Sequence, residues 1–260
     1  MRNFPRAVAG LLPLAAILFA TLPAAAAPCA PPLDETFERT YPIAATGAVS
    51  LININGSVRV EGWDRDVVEV HAVKRATKER ADLSRVRIEV QTLPNAVNIR
   101  TRYAENDPAS VEVEYRVRVP YQIARAHVET VNGNLVVKDV HTAGELRTVN
   151  GDIDVFEGAG RYSGKTTNGN VRVELRELDV RGEMQLESVN GSVGLAVPTS
   201  SNADVDAASM NGEFRTELPL AVRSGGLGRE VRGALGRGGL AVRLRSVNGT
   251  IEIVTLRDTV

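Results

Sequence analysis

The sequence predicts an all-β protein, a right-handed parallel β-solenoid or β-helix-like repeat array with an N-terminal antiparallel β-sheet region. Four observations lead to it. An Asn-Gly pair recurs at Asn132-Gly133, Asn150-Gly151, Asn168-Gly169, Asn190-Gly191, Asn211-Gly212 and Asn248-Gly249, with a further copy, Asn55-Gly56, far upstream. A hydroxyl residue stands two places before each of the six (Thr130, Thr148, Thr166, Ser188, Ser209, Ser246), and an apolar one two places after the glycine (Leu135, Ile153, Val171, Val193, Phe214, Ile251). The asparagines are 18, 18, 22, 21 and 37 residues apart, a period near 20 in which 37 reads as two steps with one marker missing. Upstream of Pro120 the pattern is instead plain alternation of apolar and polar residues, the mark of half-buried strands with one wet face.

The chain starts with Arg2 and Arg6, an uncharged apolar stretch from Ala7 to Leu22, and small residues Ala24 to Ala27. This is the layout of a secretory signal peptide, residues 1–26, cut within the Ala24-Ala25-Ala26 box. The apolar stretch is shorter than a membrane-spanning helix needs, and no later segment could span as a helix. Residues 27–36 read as a flexible leader rich in Ala and Pro. Its Cys29 is the only cysteine, which excludes an internal disulfide framework and a cysteine metal site. Pro28 directly before it argues against a lipid anchor there. The signal holds two of the 31 basic residues and none of the 32 acidic ones, so the remainder keeps 29 against 32, a formal charge of −3. Such a balance does not suggest a nucleic-acid or anionic-membrane binder.

Residues 37–120 form the N-terminal sheet region. Its strands are read at Leu51-Ile52-Asn53-Ile54, Val58-Arg59-Val60, Val67-Val68-Glu69-Val70, Val86 to Val90, Val97 to Arg100 and Val111 to Val119. Leu93-Pro94-Asn95 joins two of them as a hairpin, and Lys78 to Ser84 reads as a short helical turn. Residues 121–260 form the repeat array of about six or seven coils, ending near Leu256. In the coil Gly182 to Leu195, Met184, Leu186 and Ser188 share one parity and Val193 and Leu195 another, so two inward-facing strands flank each Asn-Gly corner. Glycine at such a corner supplies a positive φ, which Asn also tolerates. Stacked corners would bring Asn over Asn in an amide ladder, with a parallel hydroxyl ladder two residues earlier. Asp154 and Arg172, eighteen residues apart, are candidates for an outward ion pair between coils.

Asn-Gly is also a hairpin signal, so an antiparallel meander with Asn-Gly at every second turn would give the same period. The in-register recurrence of hydroxyl, Asn, Gly and apolar positions favours parallel stacking, because only stacking requires it. Aromatic residues, at 4% of the chain, are too few for the two interfacial girdles of an outer-membrane barrel.

Ile54-Asn55-Gly56-Ser57-Val58-Arg59-Val60-Glu61-Gly62-Trp63-Asp64, the Val-Asn-Gly repeats, and the Gly-rich stretch Ser224 to Gly239 leading into Leu240 to Ile253 resemble the bacterial putative-adhesin domain family. The likeness runs from about Phe37 onward. It implies an envelope location, a β-solenoid-like fold and no established catalytic residues.

The residues themselves name no chemistry. His71, His127 and His141 are scattered, which disfavours a metal or triad arrangement. Asp152 and Asp154 lack the glycine-rich nonapeptide of calcium-binding β-rolls. The Gly-rich stretch lacks the Lys-Ser or Lys-Thr ending of a phosphate loop. Arginines at 223, 229, 232, 237, 243 and 245 cluster in sequence and could meet an acidic envelope polymer. Asn55, Asn190 and Asn248 match the glycosylation acceptor pattern, which their place in the repeat explains without sugar. No catalytic, cofactor-binding or metal residues are assigned; the seven Asn-Gly pairs are structural repeat corners.

The functional expectation is a non-catalytic secreted or periplasmic, adhesin-like scaffold presenting a repetitive β surface to an envelope protein or polysaccharide. Two other readings stand beside it. One is a β-helix carbohydrate-active enzyme, a lyase or hydrolase, which would need paired carboxylates and aromatic platforms, whereas Trp63 is the only tryptophan. The other is a periplasmic sensor or regulatory partner in envelope stress signalling. The sequence leaves the oligomeric state open, together with the choice between periplasm and cell surface.

Overall fold

The computed structural model describes residues 33–104, 111–217, 221–225 and 228–256. The signal peptide, most of the leader and Cys29 lie outside the described residues. Among the described residues twenty strands follow one another: β1 (Asp34–Pro42), β2 (Ala48–Ile52), β3 (Val58–Trp63), β4 (Val67–Ala76), β5 (Val86–Leu93), β6 (Ala96–Tyr103), β7 (Val111–Pro120), β8 (Gln122–Glu129), β9 (Leu135–Lys138), β10 (His141–Arg147), β11 (Ile153–Asn168), β12 (Val171–Leu178), β13 (Glu183–Asn190), β14 (Val193–Pro198), β15 (Ala203–Ser209), β16 (Phe214–Thr216), β17 (Ala221–Gly225), β18 (Gly228–Leu235), β19 (Leu240–Asn248) and β20 (Ile251–Leu256). A 3₁₀ turn, Arg80–Arg85, is the one helical element among the described residues. The fold is all-β, as expected, and the strands join in one large sheet of mixed orientation.

The pairings resolve into two ladders. In the first, β5, β6, β2, β8, β10, the second half of β11, β13, β19, β15, β18 and β17 lie side by side. In the second, the order is β1, β4, β7, β3, β9, the first half of β11, β12, β14, β20 and β16. All interior pairings are parallel. The chain crosses from the first ladder to the second at the Asn-Gly corners, so each corner stacks on the next in register.

Antiparallel pairing, expected throughout residues 37–120, holds for β1 with β4, β4 with β7 and β5 with β6. It fails for β2 and β3. These pair parallel on both sides, β2 between β6 and β8 and β3 between β7 and β9, because Asn55-Gly56 is a corner of the same kind as those downstream. The expectation of a missing marker between Asn211 and Asn248 also fails. The intervening chain forms β16 and the antiparallel hairpin β17–β18, and then β19 and β20 return to lie between β13–β14 and β15–β16. At each end of the array, therefore, the outermost coil in sequence sits one place inward in space.

The interior is aliphatic. Leu146, Leu186 and Leu244 from the first ladder and Ile153, Val171, Val193 and Ile251 from the second are all fully or almost fully buried, at roughly 1.5–3 kcal/mol per side chain. The inward assignment of Met184, Leu186, Ser188, Val193 and Leu195 holds in every case. Tyr162 is the largest fully buried side chain. A Cβ on Gly144 would lie 2.4 Å from its ring, so that glycine makes room for the tyrosine, whose hydroxyl donates to the Val140 carbonyl at 2.6 Å. At the N-terminal end, Lys74 on β4 is buried against Glu35 of β1 at 2.8 Å and donates to the Val86 carbonyl at 3.3 Å. The terminal strand is thus tied down by a charge that would otherwise be buried alone.

Two outcomes follow from this interior. Val193→Asp places an unpaired charge in it and should cost on the order of 3–5 kcal/mol in urea denaturation. Arg172→Ala, at an exposed cross-coil pair with Asp154 at 3.7 Å, should cost about 0.5 kcal/mol or less. Alkaline pH should also be destabilising. Burial pushes the Tyr103 hydroxyl up to about 12 and raises Tyr115 and Tyr162 as well. Unfolded tyrosines lose their protons near pH 10, about two units sooner than folded Tyr103. Stability contributed by these groups is therefore present below about pH 10 and lost as pH rises toward 12; a urea midpoint unchanged across that window would contradict their burial.

Candidate functional site: the asparagine spine and its flanking face

All seven Asn-Gly corners line up on one edge of the molecule. Each asparagine amide donates to the side-chain oxygen of the one before it: Asn132 to Asn55 at 2.8 Å, Asn150 to Asn132 at 2.8 Å, Asn168 to Asn150 at 2.7 Å and Asn190 to Asn168 at 2.9 Å. The ladder continues out of sequence order, Asn248 to Asn190 at 2.9 Å and Asn211 to Asn248 at 3.0 Å. Backbone bonds reinforce it. The N–H groups of Gly56, Gly133, Gly151, Gly169 and Gly191 each donate to the asparagine carbonyl of the next coil, at 2.7–3.1 Å.

What demands glycine here is contact more than conformation. Gly56, Gly133 and Gly169 have positive φ, whereas Gly151, Gly191, Gly212 and Gly249 do not, and no corner asparagine does. At every corner, however, an added Cβ would meet a carbonyl oxygen of the neighbouring coil: 2.3 Å for Gly133 against Gly56, 2.1 Å for Gly151 against Gly133, and 1.9 Å for Gly191 against Gly169. The backbones approach to a separation that only glycine permits.

The hydroxyl residues do not form the ladder expected of them. Each reaches instead to the corner glycine carbonyl of the adjacent coil: Thr148 to Gly133 at 3.0 Å, Thr166 to Gly151 at 2.9 Å, Ser188 to Gly169 at 2.7 Å, Ser246 to Gly191 at 3.0 Å and Ser209 to Gly249 at 3.0 Å. Buried carbonyls need partners, and these hydroxyls, themselves buried, supply them. Asn53 stands in the same place in its coil and reaches the Val113 carbonyl at 2.9 Å. A second polar ladder follows the glycines, with Asn134 accepting from Asp152 N–H at 2.9 Å, Asp152 from Asn170 N–H at 2.7 Å and Asn170 from Ser192 N–H at 2.9 Å. The sequence signal for it is the Asn or Asp two places after three successive corner asparagines, Asn134, Asp152 and Asn170. Asp152 is thereby a ladder member and Asp154 the partner of Arg172; burial raises the Asp154 carboxyl, Arg172 lowers it and Asp152 raises it.

Beside the spine, the outward side of the first ladder carries rows of alternating charge. Lys165 pairs with Glu187 at 3.0 Å and Arg245 with Asp206 at 3.1 Å, and Arg243 meets Glu183. His127 lies 3.3 Å from Glu145 and 3.6 Å from Glu129. Among these rows is an open groove of about 450 Å³, floored by Ala143, Gly144, Ser163 and Gly164 and edged by Arg147, Lys165, Glu145 and Glu183. A second hollow of about 460 Å³ lies at the C-terminal corners, between Val189, Val247 and Met210.

The other sequence candidates disperse. His71 is on β4 and His141 opens β10, away from His127 on β8. Among the described residues no group of three or more His, Cys, Asp or Glu is placed to hold a metal. Arg232, Arg243 and Arg245 are spent on carboxylates, and the side chain of Arg223 lies outside the described residues. Trp63 donates to the Val67 carbonyl at 2.9 Å and has the guanidinium groups of Arg65 and Arg118 over its ring at 4.9 and 5.6 Å, so it is not a free platform for a sugar. The Asn190 and Asn248 amides, which a glycan would have to occupy, are committed to the spine.

The Toastrack DUF4097 family profile matches residues 46–254, which is most of the chain and takes in all seven corners. The protein belongs to this family. No curated protein matches the sequence. Among solved structures, the chain of this family member is similar to a "putative cell adhesion protein" from Clostridium sporogenes, with 11% identity, TM-score 0.47, and 85% of this chain and 100% of that one covered. It is also similar to a "putative adhesin" from Parabacteroides merdae, with 10% identity, TM-score 0.33, and 86% and 97% covered. Likenesses this remote say nothing of what this family member binds.

The spine carries its own test. Gly151→Ala should cost about 1–3 kcal/mol or more from the clash it creates, and Thr166→Val about 1–3 kcal/mol from the buried carbonyl it strands. Gly194→Ala, where the nearest atom to a new Cβ is 3.9 Å away, should be close to neutral. Equal unfolding midpoints for Gly151→Ala and Gly194→Ala would remove close approach as the reason for glycine.

Proposed function

We propose that this protein is a non-catalytic, extracytoplasmic scaffold, a right-handed parallel β-solenoid that offers the outward side of its first ladder to an envelope protein or polysaccharide. The observation that carries the reading is the spine. It fixes successive coils at one repeat, so that rows such as His127, Glu145, Ser163, Gln185 and Arg243 stand in register at steps of about 4.8 Å. A rigid, periodic surface of this kind suits a periodic polymer or an extended partner, because ordering costs are met before binding. The charges along it are largely paired with one another, which favours hydrogen-bonding recognition over attraction of a polyanion. Export rests on the signal peptide read in residues 1–26.

The test is retention of the mature protein, residues 27 to 260, by solubilised envelope proteins and purified cell-wall polymers. Ser163→Trp in the groove should abolish retention while leaving the fold intact, and Arg172→Ala on the other ladder should not. Turnover of a polysaccharide that a single carboxylate substitution abolishes would replace this reading with an enzymatic one.

A further inference from the structure

Asn-Gly is the dipeptide in which an asparagine side chain is most open to attack by the following backbone nitrogen, since glycine offers no side chain to obstruct it. Seven such pairs on one exposed edge would be a chemical liability unless the fold restrained them. At six it does. Asn132, Asn150, Asn168, Asn190 and Asn248 are each held on both sides, donating to one neighbour and accepting from the other. Asn55 accepts from Asn132, and the N–H of its Gly56 is committed to the Asn132 carbonyl at 2.7 Å.

The seventh differs. Asn211 ends the ladder: its amide donates to Asn248, but among the described residues no further asparagine stands beyond it to donate to its own oxygen. No coil follows to accept the Gly212 N–H, and among the described residues neither it nor the Gly249 N–H has a hydrogen-bond acceptor, so Asn211 differs from Asn248 in that its side-chain oxygen accepts from no neighbour. Asn211 is exposed, as is Met210 beside it. The side chain is thus free to rotate its Cγ toward a backbone nitrogen that no hydrogen bond holds in place.

We propose that Asn211-Gly212 is a site of spontaneous deamidation, selected by its place at the end of the spine. The Gly212 nitrogen gives its proton to water and bonds to Asn211 Cγ. The Cγ–Nδ2 bond breaks and the nitrogen leaves as ammonia, taking up a proton and closing a succinimide. Water then opens the ring at either carbonyl to give aspartate or isoaspartate. The isoaspartyl form lengthens the backbone directly ahead of β16, the strand that covers Ile251–Ile253 of β20, so chemical ageing acts on the C-terminal edge of the second ladder.

The test is incubation of the folded mature protein at mildly alkaline pH, followed by proteolysis and mass spectrometry of each Asn-Gly peptide, with a parallel incubation in denaturant. Folded protein should convert Asn211 about tenfold or more faster than any other corner, because the others must first open locally; in denaturant all seven should convert at similar rates. Asn211→Gln should remove the fast product and leave the remaining rates unchanged. Equal conversion at all corners in the folded protein, a different corner leading, or an Asn211 rate far below its denatured rate would each overturn the proposal.

Discussion

The structure depends on how closely one corner backbone lies on the next. With a carbonyl oxygen of the neighbouring coil occupying the space of each corner glycine's Cβ, the coils approach near enough for the asparagine amides to bond and for the buried hydroxyls to reach the glycine carbonyls. Three residue types at fixed offsets therefore answer one requirement. The glycine permits contact, the hydroxyl satisfies the carbonyl that contact buries, and the asparagine ties the exposed side together. The aliphatic interior supplies most of the gain from burial, but it sets no register along the stack; the spine does.

A stack of parallel coils has two open ends, and exposed strand edges invite association. Here both ends depart from simple winding. The first coil of the array, β2–β3, is covered by β6–β7, and the last, β19–β20, by β15–β16. Antiparallel strands then cover β6 and β7 at one end, β5 on the first and β4 with β1 on the second, and at the other end β18 with β17 covers β15 and leaves β16 as the edge. At the C-terminal side β20 lies between β14 and β16, so fraying there is opposed by pairing on both sides, whereas the edge strand β1 pairs only with β4 and is tied down by the Lys74–Glu35 contact.

Much of this was legible in the chain. The corners, the inward parity of Met184, Leu186 and Val193, the Leu93-Pro94-Asn95 hairpin and the Asp154–Arg172 pair all follow from local patterning, and the short helical turn lies within two residues of its expected place. What was not legible is non-local. Spacing between Asn211 and Asn248 cannot reveal that the later coil lies inside the earlier one, because stacking equivalent residues satisfies the same bonds in either order. The hydroxyls recur at the ladder's period whether they bond to one another or to glycine carbonyls, and only the depth of the corner decides. Gly144 looks like any coil start until Tyr162 is placed against it. For function, the corner residues mark a framework. The side chains that would meet a partner lie on the flanking rows, where the sequence varies from coil to coil and carries no repeat to read.

One spine runs in the order Asn190, Asn248, Asn211, held by backbone contact. Cysteine pairs test it directly in a Cys29→Ser background. Adjacent coils hold equivalent Cα atoms about 4.8 Å apart and next-but-one coils about 10 Å apart, on either side of the limit for a disulfide. Asn190→Cys with Asn248→Cys should crosslink on mild oxidation, and Asn190→Cys with Asn211→Cys should not. Crosslinking of the second pair and not the first would mean that the coils stack in sequence order and that the spine described here is wrong.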